Sequence, residues 1–321
     1  MPEISVIMLT FNREKLISRA VTSILNQTFP DFEFIIVDNG SSDGSGKIAD
    51  KFAESDSRIK VMHTPRKNIG SGRNTGLSLA GGKYIAFIDD DDYAEPDMLQ
   101  FLHSLAENHK ADIAVCGSNK EENGKIEPNG AYAYPELYVM NAEQATAAYL
   151  RRIRYNAAMP TKLIKRSLFD KIHFSADGCY DDISTTYRCF ANAEIVAAQG
   201  IPQYTFYRHP GNNSSAATKH NLLNPAQLHE YLNAFRQRTK YISAVLPQLS
   251  ALSLYSEWSY MISMVEKINR YQLTSCQEPL NFMKKELFQH RKEFLESPYI
   301  TGFEIQWMRQ YVLSGEKNNG Q

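Results

Sequence analysis

The chain has 321 residues, of which 43% are hydrophobic; its length suits one large α/β domain with a smaller second region, and its composition excludes a disordered chain. Its formal net charge is −1, which gives no electrostatic reason to expect a nucleic-acid partner. No apolar run approaches the ~18 residues that span a bilayer, so we expect a cytoplasmic protein.

Short apolar runs alternate with amphipathic stretches in the first part of the chain. The runs that predict buried strands are 4–10, 32–37, 59–63, 84–88 and 111–116. Helical spacing of apolar residues predicts the helices between them, over 15–26, 45–55 and 73–80, and Pro96 opens another helix. This alternation predicts an α/β fold with a doubly wound, mostly parallel sheet.

The character of the sequence changes at about residue 221, where the strand patterns end. Segments rich in Leu, Tyr, Phe and Met predict helices over 224–247, 250–272, 278–295 and 302–314. We therefore expect an α/β domain over 1–220 and a helical C-terminal region over 221–321. An aromatic stripe over 255–271 has two interpretations: a peripheral contact with the inner face of the plasma membrane, or, as we favour, either core packing or a subunit contact in a homo-oligomer.

Polar clusters follow three of the predicted strands, at 10–13, 38–41 and 89–92. Ligands bind doubly wound sheets at the carboxyl ends of the strands, so we expect the three clusters at one edge. The last cluster consists of consecutive aspartates. Two carboxylates ~4 Å apart repel each other by roughly 4 kcal/mol at an effective dielectric constant near 20. A divalent cation that prefers oxygen ligands, Mn²⁺ or Mg²⁺, would relieve this repulsion; the alternative is a solvated acidic loop.

A set of motifs in a fixed order carries a family resemblance: ISVIMLTFN at 4–12, SILNQT at 23–28, IVDNGSSD at 36–43, GRNTG at 72–76, and FIDDDD at 87–92 followed by Pro96 and Asp97. Together they resemble the family 2 glycosyltransferases of bacterial surface-polysaccharide synthesis, over about residues 3–215. The resemblance implies the GT-A fold and inversion at the transferred sugar. It also implies a nucleotide-diphosphate donor, for which a UDP-sugar is our choice, and an acceptor hydroxyl on a glycan or lipid-linked glycan.

The resemblance assigns nucleotide contacts to single residues. These would be Thr10, Phe11, Asn12, Arg13, Asp38, Asn39, Arg73, Asp90 and, from a later loop, Arg208. Phe11 would stack on the nucleobase, and Asp90 would face the ribose. The family usually has a second aspartate where this chain has Asn39, whose amide oxygen can still accept a hydrogen bond from the uracil N3–H.

The resemblance also implies the metal ligands. Asp91 would be the main ligand of Mn²⁺ or Mg²⁺, and Asp89 is the other half of the D-x-D pair. Some members of the family add a histidine ligand from the later loop, so His209 is a third candidate. The local sequence around Arg208 and His209 is also compatible with a plain strand end and loop.

An acidic pair, Asp181 and Asp182, precedes a predicted helix over 183–193. A purely structural interpretation is that the helix dipole favours acidic residues at this end. The resemblance places the catalytic base of the family here, as the second member of an acidic pair. We therefore predict Asp182 as the base and Asp181 as the second candidate, which would orient or bind the acceptor. General-base assistance of this kind contributes typically 10²–10⁴-fold to the rate.

Two other functions remain as alternatives. A sugar-phosphate nucleotidyltransferase would carry a glycine-rich phosphate loop after the first strand, where this chain has the polar cluster at 10–13. A non-catalytic nucleotide- or glycan-binding relative is disfavoured because both acidic clusters are present. A dinucleotide-dependent oxidoreductase is excluded, since no GxGxxG motif opens the first helix.

Overall fold

A computed structural model describes residues 1–127, 132–209, 211–212 and 220–314, with the backbone only at residue 220. The chain divides into two compact units, Met1–His209 and Pro210–Gln321. The boundary expected from the sequence, between residues 220 and 221, falls inside the second unit.

One mixed sheet organises the described part of the first unit. In chain order its strands are β1 (Ile4–Thr10), β2 (Phe32–Asp38), β3 (Ile59–His63), β4 (Tyr84–Asp89), β5 (Tyr93–Ala94), β6 (Ile113–Glu122), β7 (Lys125–Glu127), β8 (Tyr134–Met140), β9 (Lys162–Lys165) and β10 (Val196–Arg208). Their order across the sheet is β3-β2-β1-β4-β9-β6-β10-β5, with β7 on β6 and β8 on β10. The first four strands are parallel, β10 is parallel to β6, and β9 is antiparallel to both of its neighbours. The predicted α/β fold is confirmed.

Helices connect the strands of this unit. They are α1 (Ile17–Leu25), α2 (Ser45–Ser55), α3 (Ile69–Leu79), α4 (Met98–His109), α5 (Ala142–Leu150) and α6 (Asp181–Asn192). The α3 helix begins earlier than residue 73, where the sequence predicted its start, because the side chain of Asn68 accepts a hydrogen bond from the Ser71 amide and caps the helix. The α6 helix likewise begins at Asp181, so the acidic pair lies in its first turn.

The strand register aligns the polar clusters. Thr10 is paired with Asp38 across β1 and β2, and Leu9 is paired with Asp89 across β1 and β4. Parallel strands that end at the same level expose their carboxyl ends along one edge. The predicted convergence of the three clusters therefore follows directly from the pairing of these strands.

The second unit is helical over its described residues. Its helices are α7 (Pro225–Val245), α8 (Ser250–Arg270), α9 (Gln277–Gln289), α10 (Arg291–Leu295) and α11 (Gly302–Trp307), followed by a π-helical turn at Met308–Val312. Much of the aromatic stripe is buried inside this unit, including Trp258, Tyr260, Met261, Met264 and Ile268. This burial agrees with the core interpretation; a subunit contact stays a prediction. Over the residues that are described, none of the helices combines the length and apolarity needed to cross a bilayer.

Candidate active site

Hydrogen bonds tie the strand-end clusters to one another. The backbone amide of Asn39 donates to the carbonyl oxygen of Thr10 at 2.9 Å, which joins the ends of β1 and β2. The Phe11 amide donates to Oδ2 of Asp90 at 3.1 Å, which joins β1 to the acidic run after β4. The guanidinium Nε of Arg13 lies 3.6 Å from Oδ1 of Asp90. Three segments that are distant in sequence thus form one site.

Three of the four aspartates of the run are buried. Burial raises the pKa of Asp90 to about 7; the charge of Asp91 adds to this shift, and Arg13 opposes it. Burial also raises the pKa of Asp92 well above its ordinary value. Asp92 accepts hydrogen bonds from the Tyr204 hydroxyl at 2.9 Å and from the Tyr207 amide at 2.8 Å. Asp92 therefore anchors β10 beside the run, a role that the sequence did not indicate.

Asp91 lies beside the predicted histidine ligand. Nε2 of His209 is 2.9 Å from Oδ2 of Asp91, and Nε of Arg13 is 3.8 Å from the same oxygen. The ring of His209 stacks on Tyr207 with 5.4 Å between centroids. Because Asp92 accepts a hydrogen bond from the Tyr207 backbone, the end of β10 is held in a position from which the next residue after the strand, His209, reaches the acidic run. Asp91 and His209, which are 118 positions apart, are thus brought together, and their shared binding of a metal stays a prediction.

Arg19 supports this arrangement, although the sequence gave no sign of it. Its guanidinium packs on the rings of Tyr93 and Tyr207, at 4.7 and 4.3 Å from their centroids. Its Nη2 donates to the carbonyl oxygen of Asp91 at 2.9 Å, and its Nη1 donates to Glu121 at 3.2 Å. Arg19 therefore fixes the backbone of Asp91 from the α1 side.

Arg73 contacts protein carboxylates from two distant segments. Its Nη1 bonds to Asp181 at 3.0 Å and to Asp182, and its Nη2 bonds to Asp89 at 3.3 Å. Burial alone would lower the pKa of Arg73, but the three carboxylates raise it above its ordinary value. The sequence assigned Arg73 to the nucleotide; the structure places it between the D-x-D pair and the acidic pair of α6.

The two members of the acidic pair differ in exposure. The side chain of Asp181 is 7% exposed and that of Asp182 is 26% exposed. Burial, partly offset by Arg73, raises the pKa of Asp181 to about 7. A group that takes a proton from an acceptor must be reachable from outside. The geometry therefore favours Asp182 over Asp181 for that role.

Phe11 is covered by an arginine that the sequence did not single out. The guanidinium carbon of Arg66 lies 3.3 Å from the centroid of the Phe11 ring. The loop that carries Arg66 approaches the turn after β2 closely: a Cβ on Gly40, which has φ +78°, would lie 2.6 Å from the Arg66 amide nitrogen. Next to Phe11, Asn12 adopts φ 52°, and its Oδ1 accepts a hydrogen bond from Ser42 at 2.8 Å. A nucleobase that stacks on this face of Phe11 would have to displace Arg66.

The residues at the end of β2 are engaged within the protein. Oδ1 of Asp38 accepts the Ser41 amide at 3.0 Å, and its Oδ2 lies 2.9 Å from Nδ1 of His63. Asn39 is buried, with its Nδ2 donating to the Lys67 carbonyl at 2.8 Å and its Oδ1 accepting from the Lys67 amide at 3.0 Å. Both ends of the Asn39 amide are thus used to hold the Arg66 loop. Its predicted contact with uracil stays a prediction, and one that would compete with these bonds.

Arg208 lies at the end of β10, with its guanidinium carbon 5.7 Å from the centroid of Phe206. Its predicted closure over the diphosphate stays a prediction.

The donor set suits a hard divalent cation. Asp89 and Asp91 offer carboxylate oxygens, and His209 offers an imidazole nitrogen, all of which Mn²⁺ accepts. Burial and the neighbouring charge of Asp91 raise the pKa of Asp90 and Asp92, so the contacts of these two residues do not fully stabilise their ionised forms. A cation would supply the missing compensation. The residue types at Asp89, Asp91 and His209 therefore suit the metal that the sequence predicted, and its binding here stays a prediction.

A different group of possible ligands lies at the opposite end of the parallel strands. Glu3, His103 and Glu107 bring their ligand atoms within 4.8 Å of one another. Lys83 pairs with Glu107, and its Nζ is 3.4 Å from Oε1 of Glu3. A lysine among the carboxylates neutralises them directly, so we interpret this group as a structural ion-pair network.

A family model described as Glycosyl transferase family 2 matches residues 5–180. The chain belongs to glycosyl transferase family 2. The family that the motifs predicted is confirmed, and the match ends just before the acidic pair of α6.

Two bacterial glycosyltransferases are similar in sequence to this family 2 chain. It is 34% identical over 221 residues to "Uncharacterized glycosyltransferase EpsJ" of Bacillus subtilis (strain 168), which covers 66% of this chain and 62% of EpsJ. It is 30% identical over 216 residues to "Glycosyltransferase GlyG" of Streptococcus pneumoniae serotype 4, which covers 65% of this chain and 72% of GlyG. The aligned part is thus less than two thirds of the length of EpsJ.

Solved structures of similar fold support the architecture. Staphylococcus aureus TarS 1-349, in complex with UDP-GlcNAc, superposes with a TM-score of 0.67 and 20% identity, over 92% of this chain and 89% of that one. The mannosyltransferase PcManGT from Pyrobaculum calidifontis, in complex with GDP-Man and Mn²⁺, superposes with a TM-score of 0.57 and 16% identity, over 99% and 87%. At these identities the likeness establishes the fold, and the predicted GT-A-type fold is confirmed.

Proposed function

We propose that this family 2 chain transfers a sugar from a UDP-sugar, with inversion and with the help of a divalent cation, to a hydroxyl of a glycan acceptor in bacterial surface-polysaccharide synthesis. The observation that carries the proposal is that the acidic run after β4 and the acidic pair of α6 meet at one buried arginine, Arg73. Donor-side and acceptor-side chemistry need such proximity.

The donor side is built from the strand ends. Asp91, Asp89 and His209 are the residues that would hold Mn²⁺ or Mg²⁺. When bound, the cation stabilises the negative charge that develops on the departing diphosphate. The backbone amide of Phe11 donates to Asp90, so the ring predicted to stack on the base and the carboxylate predicted to face the ribose are neighbours, with Arg66 over one face of the ring.

The acceptor side is built from the start of α6. In a single displacement, the acceptor oxygen forms a bond to the anomeric carbon while the bond from that carbon to the diphosphate oxygen breaks. The acceptor proton passes to a carboxylate oxygen of Asp182, which is the more exposed member of the pair. The attack comes from the face opposite the diphosphate, and inversion follows.

The choice of UDP rests on an analogy and on the contact between Arg66 and Phe11. TarS was solved with UDP-GlcNAc and with UDP, whereas PcManGT was solved with GDP-Man. A purine base is larger than uracil, and Arg66 already covers the Phe11 ring. The cover that Arg66 provides over Phe11 therefore favours the smaller base.

The proposal is tested by binding and turnover together. We expect UDP to bind in the presence of Mn²⁺ more tightly than in EDTA, and more tightly than GDP, by calorimetry. UDP release from UDP-GlcNAc, with water as the acceptor, reports turnover. Asp182→Asn should keep UDP affinity and lose turnover by about 10²–10⁴-fold. A variant that turns over normally would remove Asp182 as the base, and a preference for GDP would overturn the choice of uridine.

A further inference from the structure

One face of α3 supports the segment that leads into α6. Gly70, Arg73 and Asn74 are spaced so that they lie on the same side of the helix. Each of them contacts a different part of the segment between Phe174 and Asp182. We call these three residues the α3 support face.

Asn74 and Gly70 hold the start of that segment. Nδ2 of Asn74 donates to the Phe174 carbonyl at 2.9 Å, and its Oδ1 accepts from the Phe174 amide at 3.0 Å. A Cβ on Gly70 would lie 2.0 Å from the carbonyl oxygen of Ser175, so only glycine allows this approach. The segment is thus held by its backbone, independently of its own side chains.

Arg73 holds the other end. Its guanidinium carbon is 5.4 Å from the centroids of both Phe87 and Phe174, and the residue is 6% exposed. One terminal nitrogen contacts both Asp181 and Asp182, and the other contacts Asp89. Both terminal nitrogens are therefore committed to carboxylates of the protein.

We propose that Arg73 is a positioning residue, which fixes Asp182 relative to the D-x-D pair, and that it makes no essential contact with the nucleotide. The inference rests on the proposed function, because Asp182 is the proposed base. The α3 support face fixes the distance between the donor and acceptor sides. Asn74 and Gly70 fix the backbone path of the segment, and Arg73 fixes the position of Asp182 at its end. A displacement of about 1 Å at a reacting group can lower a rate by 10²-fold.

The test uses three substitutions on α3 in the full chain. Arg73→Lys and Arg73→Met alter the guanidinium, and Asn74→Ala releases the backbone of Phe174. Ser78→Ala is the matched control, since Ser78 is exposed on the same helix and its hydroxyl contacts only the Thr75 carbonyl among the bonds resolved for it. The measurements are UDP affinity with Mn²⁺, UDP release from UDP-GlcNAc with kcat and KM separated, and hydrogen–deuterium exchange over residues 174–182.

We expect Arg73→Met to lower kcat by about 10²-fold while UDP affinity and the KM for UDP-GlcNAc stay within about threefold. Arg73→Lys should recover part of kcat, because it restores the charge without the two-pronged geometry. Exchange over 174–182 should rise in Arg73→Met and in Asn74→Ala, and stay unchanged in Ser78→Ala. Asn74→Ala should lower kcat less than Arg73→Met does.

Two results would overturn the inference. A loss of UDP affinity of more than tenfold in Arg73→Lys would make Arg73 a nucleotide contact. Unchanged exchange over 174–182 in both Arg73→Lys and Asn74→Ala would show that the α3 support face does not hold the segment. If Arg73→Met does not fold, these two variants decide the matter. If the unmodified chain binds no UDP with Mn²⁺, the proposed function fails, and the exchange measurements still test the support face.

Discussion

Two groups of acidic side chains lie at opposite ends of β4, and their pKa values are shifted in opposite directions. At the start of the strand, Glu107 accepts hydrogen bonds from Lys83 and from the Tyr84 hydroxyl, and these bonds lower its pKa. After the end of the strand, burial raises the pKa of Asp90 to about 7. The residue types are alike, so the difference lies in the surroundings.

The charges of the first group are compensated within the protein and by solvent, whereas those of the second group are not fully compensated. Lys83 and Glu107 are both nearly half exposed, and solvent shares in stabilising their charges. The aspartates after β4 are held away from solvent with cationic partners that compensate only part of their charge. Burial of these ionised carboxylates lowers the stability of the ligand-free protein, and a ligand of opposite charge can offset that loss. The comparison therefore predicts that only the second group responds to a cation.

The largest expected difference between the two groups concerns metal-dependent binding. Asp91→Asn should weaken UDP binding in Mn²⁺ by about a thousandfold, because a metal ligand worth several kcal/mol is lost. Glu107→Gln, which removes a carboxylate from the first group, should leave the affinity within about twofold. Calorimetric titration of UDP into each variant measures both. Equal affinities for Asp91→Asn and the unmodified chain would remove the metal from this site.

A second difference concerns pH in the absence of metal. The unfolded carboxyl of Asp90 loses its proton near pH 3.9, whereas the folded one keeps it to about pH 7. Between these values the folded state binds more protons, so the contribution of Asp90 to the free energy of unfolding falls as pH rises, by about 1.4 kcal/mol per unit. Asp90→Asn removes this slope.

Denaturant titrations in EDTA between pH 4 and pH 8 measure this effect. The stability of Asp90→Asn minus that of the unmodified chain should rise with pH up to about 7 and then level off. Mn²⁺ should reduce the difference above pH 7, because a cation stabilises the ionised form. A difference that is constant across this range would contradict the buried, partly compensated charge.

Sequence reasoning located the strands of the parallel part of the sheet well. The predicted bounds of β1, β3 and α2 match the structure, and β2 and β4 each end one residue later than predicted. Buried parallel strands are continuous apolar runs, which makes them visible. The run 111–116 predicted the first part of β6, whereas β5, β7, β8 and β9 were missed and β10 was considered only at its end. β10 contains Gly200 and Pro202, where its register shifts, and β9 begins with Lys162, which is fully buried although charged.

The site was predictable where its residues are neighbours in sequence. The aspartate run and the acidic pair are each visible as a cluster. Arg73 and Asp181 are 108 positions apart, and no local pattern shows that they pair. The same holds for Asn39 and Lys67, whose bond depends on how the loop after β3 folds back. Such contacts are consequences of the fold and become visible only with it.

Asn39 provides a smaller test of how the donor side is built. Asn39→Asp places a carboxylate oxygen where Nδ2 now donates to the Lys67 carbonyl, and we expect a loss of about 1–3 kcal/mol of stability. The matched control is Asn141→Asp, because Asn141 caps α5 through its Oδ1 alone and aspartate caps equally well. Thermal unfolding compares the two. Equal melting temperatures would mean that the Arg66 loop does not depend on Asn39.

The smallest expected effect belongs to the group at the start of β4. Because Lys83 and Glu107 are nearly half exposed, solvent weakens their attraction, and a double-mutant cycle with Lys83→Met and Glu107→Gln should give a coupling of about 0.2–1 kcal/mol. Tyr84 also bonds to Glu107, so the cycle isolates only the lysine pair. Chemical denaturation of the four chains supplies the value. A coupling of about 3 kcal/mol or more would mean that this group behaves as a buried charge network. The proposed difference between the exposed ion pairs at the start of β4 and the buried aspartates after its end would then be wrong.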